Sequence, residues 1–234
     1  MIEDNENSTP TQCVSSALLR RLPNYYNYLR NLHEAGETYV SSAKLAQDMF
    51  LNAVQVRKDL AQLSSLPGKS RLGFDIAVLL SDIETFLGYD YCSDAVLIGA
   101  GSLGMALLAH NGFADCGLNI VAAFDVRKSV QGKTVNDKPV FPMGKMEEVV
   151  HRLGIKLAII AVPAKAAQGV CDRLVKCGIR GILNMAPTHL KAPQQVVVRD
   201  ENIAMALVMV SKLVADAELQ ERKECSNTDI YLSN

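Results

Sequence analysis

The feature that most constrains this chain is a short apolar strand that runs straight into a glycine-rich turn and a helix. Residues 95–100 read AVLIGA and continue through Gly99, Ala100, Gly101, Ser102, Leu103 and Gly104. The glycines play separate roles. Gly99 permits the tight turn, Gly101 lets backbone approach a pyrophosphate, and Gly104 allows close helix–strand packing. The first N–H groups of such a helix have no partner of their own and suit phosphate. A second apolar stretch, NIVAAFD at 119–125, ends on Asp125, about twenty residues beyond the last glycine, where a carboxylate takes ribose hydroxyls. The pattern predicts an NAD(H) site, because the Asp125 carboxylate repels a 2′-phosphate. Arg127, two residues on, pulls the other way, since a nearby arginine accommodates that phosphate.

The same texture continues. LAIIAV (157–162), GILNMA (181–186) and QQVVVRD (194–200) read as further strands, and amphipathic stretches at 103–112, 145–153 and 165–177 as helices between them. Strands alternating with helices imply an α/β domain with a doubly wound, Rossmann-type parallel sheet. Residues 202–219 form a helix apolar nearly all round at its start, with Ile203, Met205, Leu207, Val208, Met209, Val210, Leu213 and Val214. Such a helix must be buried, either in a partner subunit as a domain-swapped element or over its own sheet. The expected organisation is a disordered 1–14, a first domain over 15–88, the nucleotide fold over 89–200, the dimerisation helix over 201–221 and a frayed tail over 222–234.

The first domain is built differently. Leu18, Leu22, Tyr25, Tyr26, Leu29 and Leu32 recur at helical spacing, with Pro23 marking a break or a helix start. Ser41 or Ser42 caps a short helix carrying Leu45, Ala46 and Met49 inward. A second, over 53–63, turns Val56, Leu60 and Leu63 inward and Gln55, Arg57, Lys58 and Asp59 outward. A glycine-punctuated basic segment with Lys69 and Arg71 follows, then a helix over 76–87 closed by Gly88. Helix, short helix, turn, helix and basic hairpin describe a winged helix-turn-helix. The net charge of −1 for 234 residues conceals a basic region, with Arg20, Arg21, Arg30, Lys44, Arg57, Lys58, Lys69 and Arg71 against few acids.

Other classes are disfavoured. No apolar run suits a membrane span, and the acidic polar N-terminus is no signal peptide, so a cytoplasmic protein is expected. The six cysteines lie scattered, without CxxC or a Cys/His cluster, which predicts reduced thiols and no metal site. A redox role for Cys171 and Cys177 is the alternative. A dehydrogenase needs a substrate domain and a proton-transfer group, and none of the four histidines (His33, His110, His151, His189) has a carboxylate partner in sequence. Binding without turnover is the favoured reading.

Taken in order, RRLPNYYNYLRNL (20–32), VSS (40–42), QVRKDL (55–60), GAGSLG (99–104), AAFD (122–125), VPAKAAQ (162–168) and GILNMAP (181–187) resemble the Rex family of redox-sensing transcriptional repressors. The resemblance implies a homodimer with exchanged C-terminal helices on a palindromic double-stranded DNA operator, released by NADH and retained with NAD⁺. It places Ser41, Ser42 and Lys44 at the first helix of the helix-turn-helix, Gln55, Arg57 and Lys58 on the recognition helix, and Lys69 and Arg71 on the wing, with Arg20 and Arg21 as further DNA candidates. Arginine reads guanine bidentately, whereas lysine and wing cations hold phosphates. Val162, Pro163, Ala164, Asn184, Ala186 and Pro187 would wall the nicotinamide end. The chain departs from the family pattern in an extra wing residue, in Arg127 for an acidic residue, and in His110 and Asn202 for a Tyr–Asp pair meeting between subunits. Rival readings are a winged-helix regulator of another nucleotide, NADP(H) or a coenzyme A derivative, and a dehydrogenase with a pocket at the dimer interface.

Overall fold

In a computed structural model, which describes residues 15–88 and 93–231, the chain divides into two units that part between Tyr91 and Cys92. The expected disordered segment 1–14 and the domain junction at 88/89 fall on or beside residues outside that description.

The first unit begins with α1 (Ser16–Glu34), capped by Ser15 Oγ, which accepts from Leu18 N–H at 3.2 Å. Pro23 neither breaks nor starts this helix, contrary to expectation; it lies inside it. An interior proline costs roughly 3 kcal/mol, and the buried face of Leu18, Leu22, Tyr25 and Leu29 offsets that while Pro23 itself faces solvent. Strand β1 (Tyr39–Val40) leads to α2 (Ser42–Asp48), whose cap is Ser41, accepting from Lys44 N–H at 3.0 Å. Asn52 Oδ1 caps α3 (Ala53–Leu63) by accepting from the N–H groups of Val54 and Gln55. Strand β2 (Phe74–Asp75) pairs antiparallel with β1, and α4 (Ile76–Leu87) ends on left-handed Gly88. Leu45, Val56, Leu60, Ile76, Leu79 and Ile83 join the α1 face in one core.

The second unit is a seven-stranded sheet ordered β5-β6-β4-β3-β7-β8-β9. Its strands are β3 (Ser93–Ile98), β4 (Leu118–Asp125), β5 (Thr134–Val135), β6 (Lys138–Pro142), β7 (Leu157–Ile160), β8 (Gly181–Asn184) and β9 (Val197–Asp200). All neighbours are parallel except the β5–β6 hairpin. Strand β6 was not expected. Its signal is the pair Asn136-Asp137, at φ 46° and 60°, residue types that tolerate the left-handed turn of a tight hairpin. Val96, Ile98, Ala122 and Phe124 face α6 (Met146–Leu153) and α7 (Ala164–Lys176), while Leu97, Ile120, Ala123 and Val140 face Leu108 of α5 (Ser102–Ala109). Strand order reverses at β3, between β4 and β7, so the crevice beyond its carboxyl end is the switch point where doubly wound folds bind ligands.

The last helix, α8 (Ile203–Tyr231), runs past the expected end at 221. Among the described side chains its large apolar residues are 53–69% exposed, so it does not cover its own sheet. Between Phe113, Ile120, Leu157, Ile159, Leu183 and Val197 the sheet carries an open apolar groove.

Candidate functional site

The turn after β3 shows why its glycines are where they are. Gly99 has φ 100°, and a Cβ there would meet the backbone carbonyl of Ala161 at 2.4 Å. A Cβ on Gly104 would fall 1.9 Å from the carbonyl oxygen of Gly99, so helix and strand approach only because it is absent. Gly101 is different: a Cβ would meet only an Arg127 nitrogen, at 3.9 Å, so no backbone crowds this position. It caps α5 without a side-chain bond, so the N–H groups opening that helix have no side-chain cap.

These residues border a cavity of about 350 Å³. Gly99 and Gly101 form one edge and Asp125 with Arg127 another, and Val162, Pro163, Met143 and Val170 make an apolar wall. Asp125 is 6% exposed and accepts from Ala100 N–H at 2.8 Å and from Arg127 N–H at 2.7 Å. Burial pushes its carboxyl up, but the Arg127 guanidinium and these two backbone donors outweigh burial and hold it below the usual carboxylate range. The volume suits a cofactor site, apolar with a few converging polar groups.

The cavity therefore brings together Gly99, Gly101, Asp125, Arg127, Val162 and Pro163, with Ala100, Ser102, Leu103 and Gly104 on its turn. Ala164 opens α7 and is not in the lining. Asn184, Ala186 and Pro187 do not line it either. Asn184 is fully buried, donating to Thr188 O and Asp200 Oδ1, both at 2.7 Å, and accepting from Ala186 N–H. Its buried amide shapes the loop after β8. Ala186 and Pro187 border a second hollow with His189, Asp200 and Asn202, where His189 Nδ1 lies 2.6 Å from Asp200 Oδ2. Asn202 caps α8 through Met205 N–H at 3.1 Å, and His110 closes α5 with its ring edge-on to Phe113. Met143 was missed because it follows the unread hairpin, whereas Ile98 and Phe124 were legible as the residues preceding Gly99 and Asp125.

Cys171 and Cys177 are free and buried, and burial pushes both thiols up, away from the thiolate form that redox chemistry needs. Among the described residues no His/Cys/Asp/Glu group could hold a metal ion, and no helix is long and apolar enough to cross a membrane.

The first unit presents a concave basic surface where Ser41 and Ser42, Arg57 of α3, and Lys69 and Arg71 of the wing converge. The wing is a tight loop in which Lys69 and Gly73 exchange backbone bonds of 2.7 and 2.9 Å. Gly73 is obligatory there, since a Cβ would lie 2.2 Å from the carbonyl oxygen of Val40. Lys69 Nζ sits 2.6 Å from Tyr39 Oη and over its ring. Lys44 pairs loosely with Glu37 at 3.8 Å, and Lys58 and Arg20 stand exposed outside the lining of this hollow.

One placement corrects the sequence reading. Asp59, expected to face outward, is 2% exposed. It accepts Nε and Nη2 of Arg21 at 2.7 and 2.9 Å, Tyr25 Oη–H at 2.8 Å and Gln55 Nε2 at 2.8 Å. Arg21 and Tyr25 lie four apart on α1 and meet a carboxylate on α3, which turns Asp59 inward despite its charge. Burial pushes Asp59 up, but these donors prevail and hold it low. Arg21 is thereby an internal tie between helices, and Gln55 is fixed by the same carboxylate.

A winged helix-turn-helix joined to a doubly wound nucleotide fold defines a class of DNA-binding regulator. Comparison with known proteins gives the family. Residues 13–61 match the family model "Putative DNA-binding protein N-terminus", and residues 90–188 match "CoA binding domain". The redox-sensing transcriptional repressor Rex of Carboxydothermus hydrogenoformans is 41% identical over 85% of this chain and 95% of its own length; that of Bacteroides fragilis is 35% identical over 86% and 91%. Among solved structures, RSP, a Rex-family repressor, matches with TM-score 0.81 and 31% identity, over 90% of this chain and 98% of that one; it is also known with beta-NADH, and with beta-NAD+ and operator DNA. The chain belongs to the Rex family of redox-sensing transcriptional repressors, which are not enzymes.

Proposed function

We propose that this chain is a homodimeric cytoplasmic repressor that binds a palindromic operator and leaves it when its second unit holds NADH rather than NAD⁺. The observation that carries this is the pairing, in one chain, of the Arg57–Lys69–Arg71 hollow with the cavity bordered by Gly99, Gly101 and Asp125. Arg57 would read a base edge in the major groove, with Ser41, Ser42, Lys44, Lys58, Lys69 and Arg71 on phosphates. Arg20 would add to that field, while Arg21 and Gln55 serve by fixing α3.

In the second unit, Asp125 would receive the adenosine ribose and the turn at Gly101 the pyrophosphate. The dinucleotide supplies a ring whose charge and planarity change with oxidation. Discrimination thus belongs to the wall away from 99–104, at Val162, Pro163 and neighbouring Ala164, and a form that binds two subunit arrangements equally shifts nothing. The exposed apolar face of α8 and the open sheet groove support a dimer in which each helix lies on the partner, with the 184–189 loop, His110 and Asn202 near the exchange. Within one chain His110 meets Phe113 and Asn202 caps α8, and in the proposed dimer a contact between the two would be made across subunits.

The test is fluorescence anisotropy on a duplex selected by this protein from random DNA, at fixed salt because affinity follows salt steeply. Saturating NADH should weaken binding at least about tenfold relative to NAD⁺, by the size of typical coupling energies. Equal affinity would reject redox sensing and leave DNA binding alone. Leu207→Glu should convert a sedimenting dimer to monomer. The match of 90–188 to a CoA binding domain favours one rival, and calorimetric titration with acyl-CoA decides it.

A further inference from the structure

Asp125 is the carboxylate a ribose diol would need, yet its acceptor positions are already occupied by the chain's own donors. Oδ1 accepts Arg127 N–H at 2.7 Å and Nε at 3.2 Å, and Oδ2 accepts Ala100 N–H at 2.8 Å and Arg127 Nη2 at 3.0 Å. A carboxylate offers about four such positions. The same Nη2 donates to the carbonyl oxygen of Ala100 at 2.6 Å and stands 3.9 Å from where a Cβ on Gly101 would be. The guanidinium therefore lies across the approach to both Asp125 and the Gly101 turn. It is not sealed there, for its side chain is 51% exposed while that of Asp125 is 6% exposed.

The backbone beyond it forms a tight turn in which Val130 N–H donates to Arg127 O at 3.2 Å. Lys128 and Ser129 occupy its corners and are exposed. Of these, Arg127 borders the cavity, and a lysine and a hydroxyl follow it on the exposed turn.

We propose that Arg127 lets this cavity accept dinucleotides carrying a 2′-phosphate as well as those with a free 2′-hydroxyl, so that the chain reads NADP(H) in addition to NAD(H). This rests on the dinucleotide reading of the cavity. A free diol needs acceptors, and to reach them it must displace Nε and Nη2 of Arg127 from Asp125. A 2′-phosphate needs donors, and the guanidinium offers a planar fork suited to phosphate oxygens, with Lys128 and Ser129 beside it. Asp125 repels the phosphate only so far as its charge is uncompensated, and the N–H groups of Ala100 and Arg127 stay on it when the guanidinium turns outward. The two nucleotide classes therefore make opposite demands on one side chain. Selection between them is decided by how readily that side chain leaves Asp125.

Isothermal titration of the full-length protein with NADH and with NADPH tests this, on the parent chain and on Arg127→Ala, with circular dichroism as the fold control. The parent should bind NADPH within about tenfold of NADH. Arg127→Ala should lower the NADPH-to-NADH affinity ratio about 10- to 100-fold, the range for a lost charged hydrogen-bond pair. An NADPH-to-NADH ratio unmoved by Arg127→Ala would overturn the proposal while the NAD(H) site stands. So would NADPH binding to the parent more than about a hundredfold weaker than NADH, a gap of about 2.7 kcal/mol. If neither nucleotide binds the parent, the dinucleotide reading fails and the proposal falls with it.

Discussion

Among the described residues each unit of this protein holds one nearly buried aspartate answered by an arginine, and the two pairs do opposite things. Asp59 and Arg21 lie 38 residues apart, join α3 to α1, and recruit Tyr25 and Gln55. The Asp59 side chain is 3% exposed and that of Arg21 24%, so the carboxylate has no water to fall back on. Asp125 and Arg127 are two residues apart on one strand end, and the arginine is half in solvent. The chemistry of the bond is the same. What differs is what the bond closes: in the first unit it closes a fold, in the second only a local loop beside a cavity. A tie between helices must persist for α3 to stay placed, whereas a local tie can be exchanged for a ligand.

The sharpest way to break that comparison is Asp59→Asn. It leaves the partly solvated Arg21 guanidinium short of its charge partner and should destabilise the first unit by about 2 kcal/mol, less than the loss for a fully buried pair, read by urea unfolding. A loss under about 1 kcal/mol would make the pair ornamental. Arg57→Ala, by contrast, touches an arginine on the open basic hollow, so it should leave unfolding unchanged and weaken operator binding by about 2 kcal/mol. Unchanged anisotropy would move base reading elsewhere on α3. Asp125→Asn should weaken NADH roughly tenfold, the loss of a charged acceptor, with stability held within about 1 kcal/mol because its partner is half solvated. A large stability loss there would erase the contrast between the units.

The pH response is a smaller effect. Both carboxyls are held below their usual range, so the stability they contribute is full above the unfolded carboxylate value of about 4 and is lost as pH falls through the lower folded value. Unfolding midpoints should be flat from neutrality to about pH 5 and fall below about pH 4. Asp59→Asn should flatten the acid limb of the first unit, and an unaltered limb would show that Asp59 is not held low. The smallest change is Lys69→Ala, expected to reduce the slope of log affinity against log salt by about one without altering sequence preference.

Much of this was legible in the residues. Period and punctuation located the capped helices of the first unit, the strand–turn–helix of the nucleotide fold and its terminal carboxylate, because each depends on neighbours in sequence. The glycines at 99 and 104 stand where no Cβ would fit, as the turn and the close packing read from their spacing require. Asp59 was misplaced because its partners lie on another helix; the clue was Arg21 and Tyr25 four residues apart, but nothing local said what they faced. Strand β6 was lost because its pairing with β4 is long-range and KPVFP lacks clean alternation. Asn184 matched a motif attributed to the nicotinamide wall, yet its amide is consumed by Thr188, Ala186 and Asp200.

For the dinucleotide turn, the sequence alone determined which backbone could form and which carboxylate would meet it, since steric freedom at glycine and strand-end position are local properties. It also determined that α8 is too apolar to stand in water. Only the tertiary structure decided that α8 leaves its own sheet uncovered, that Asp59 ties two helices, and that Arg127 already occupies the acceptors of Asp125. Those outcomes turn on which distant groups arrive at the same point, and a charge is desolvated or satisfied by what surrounds it in space.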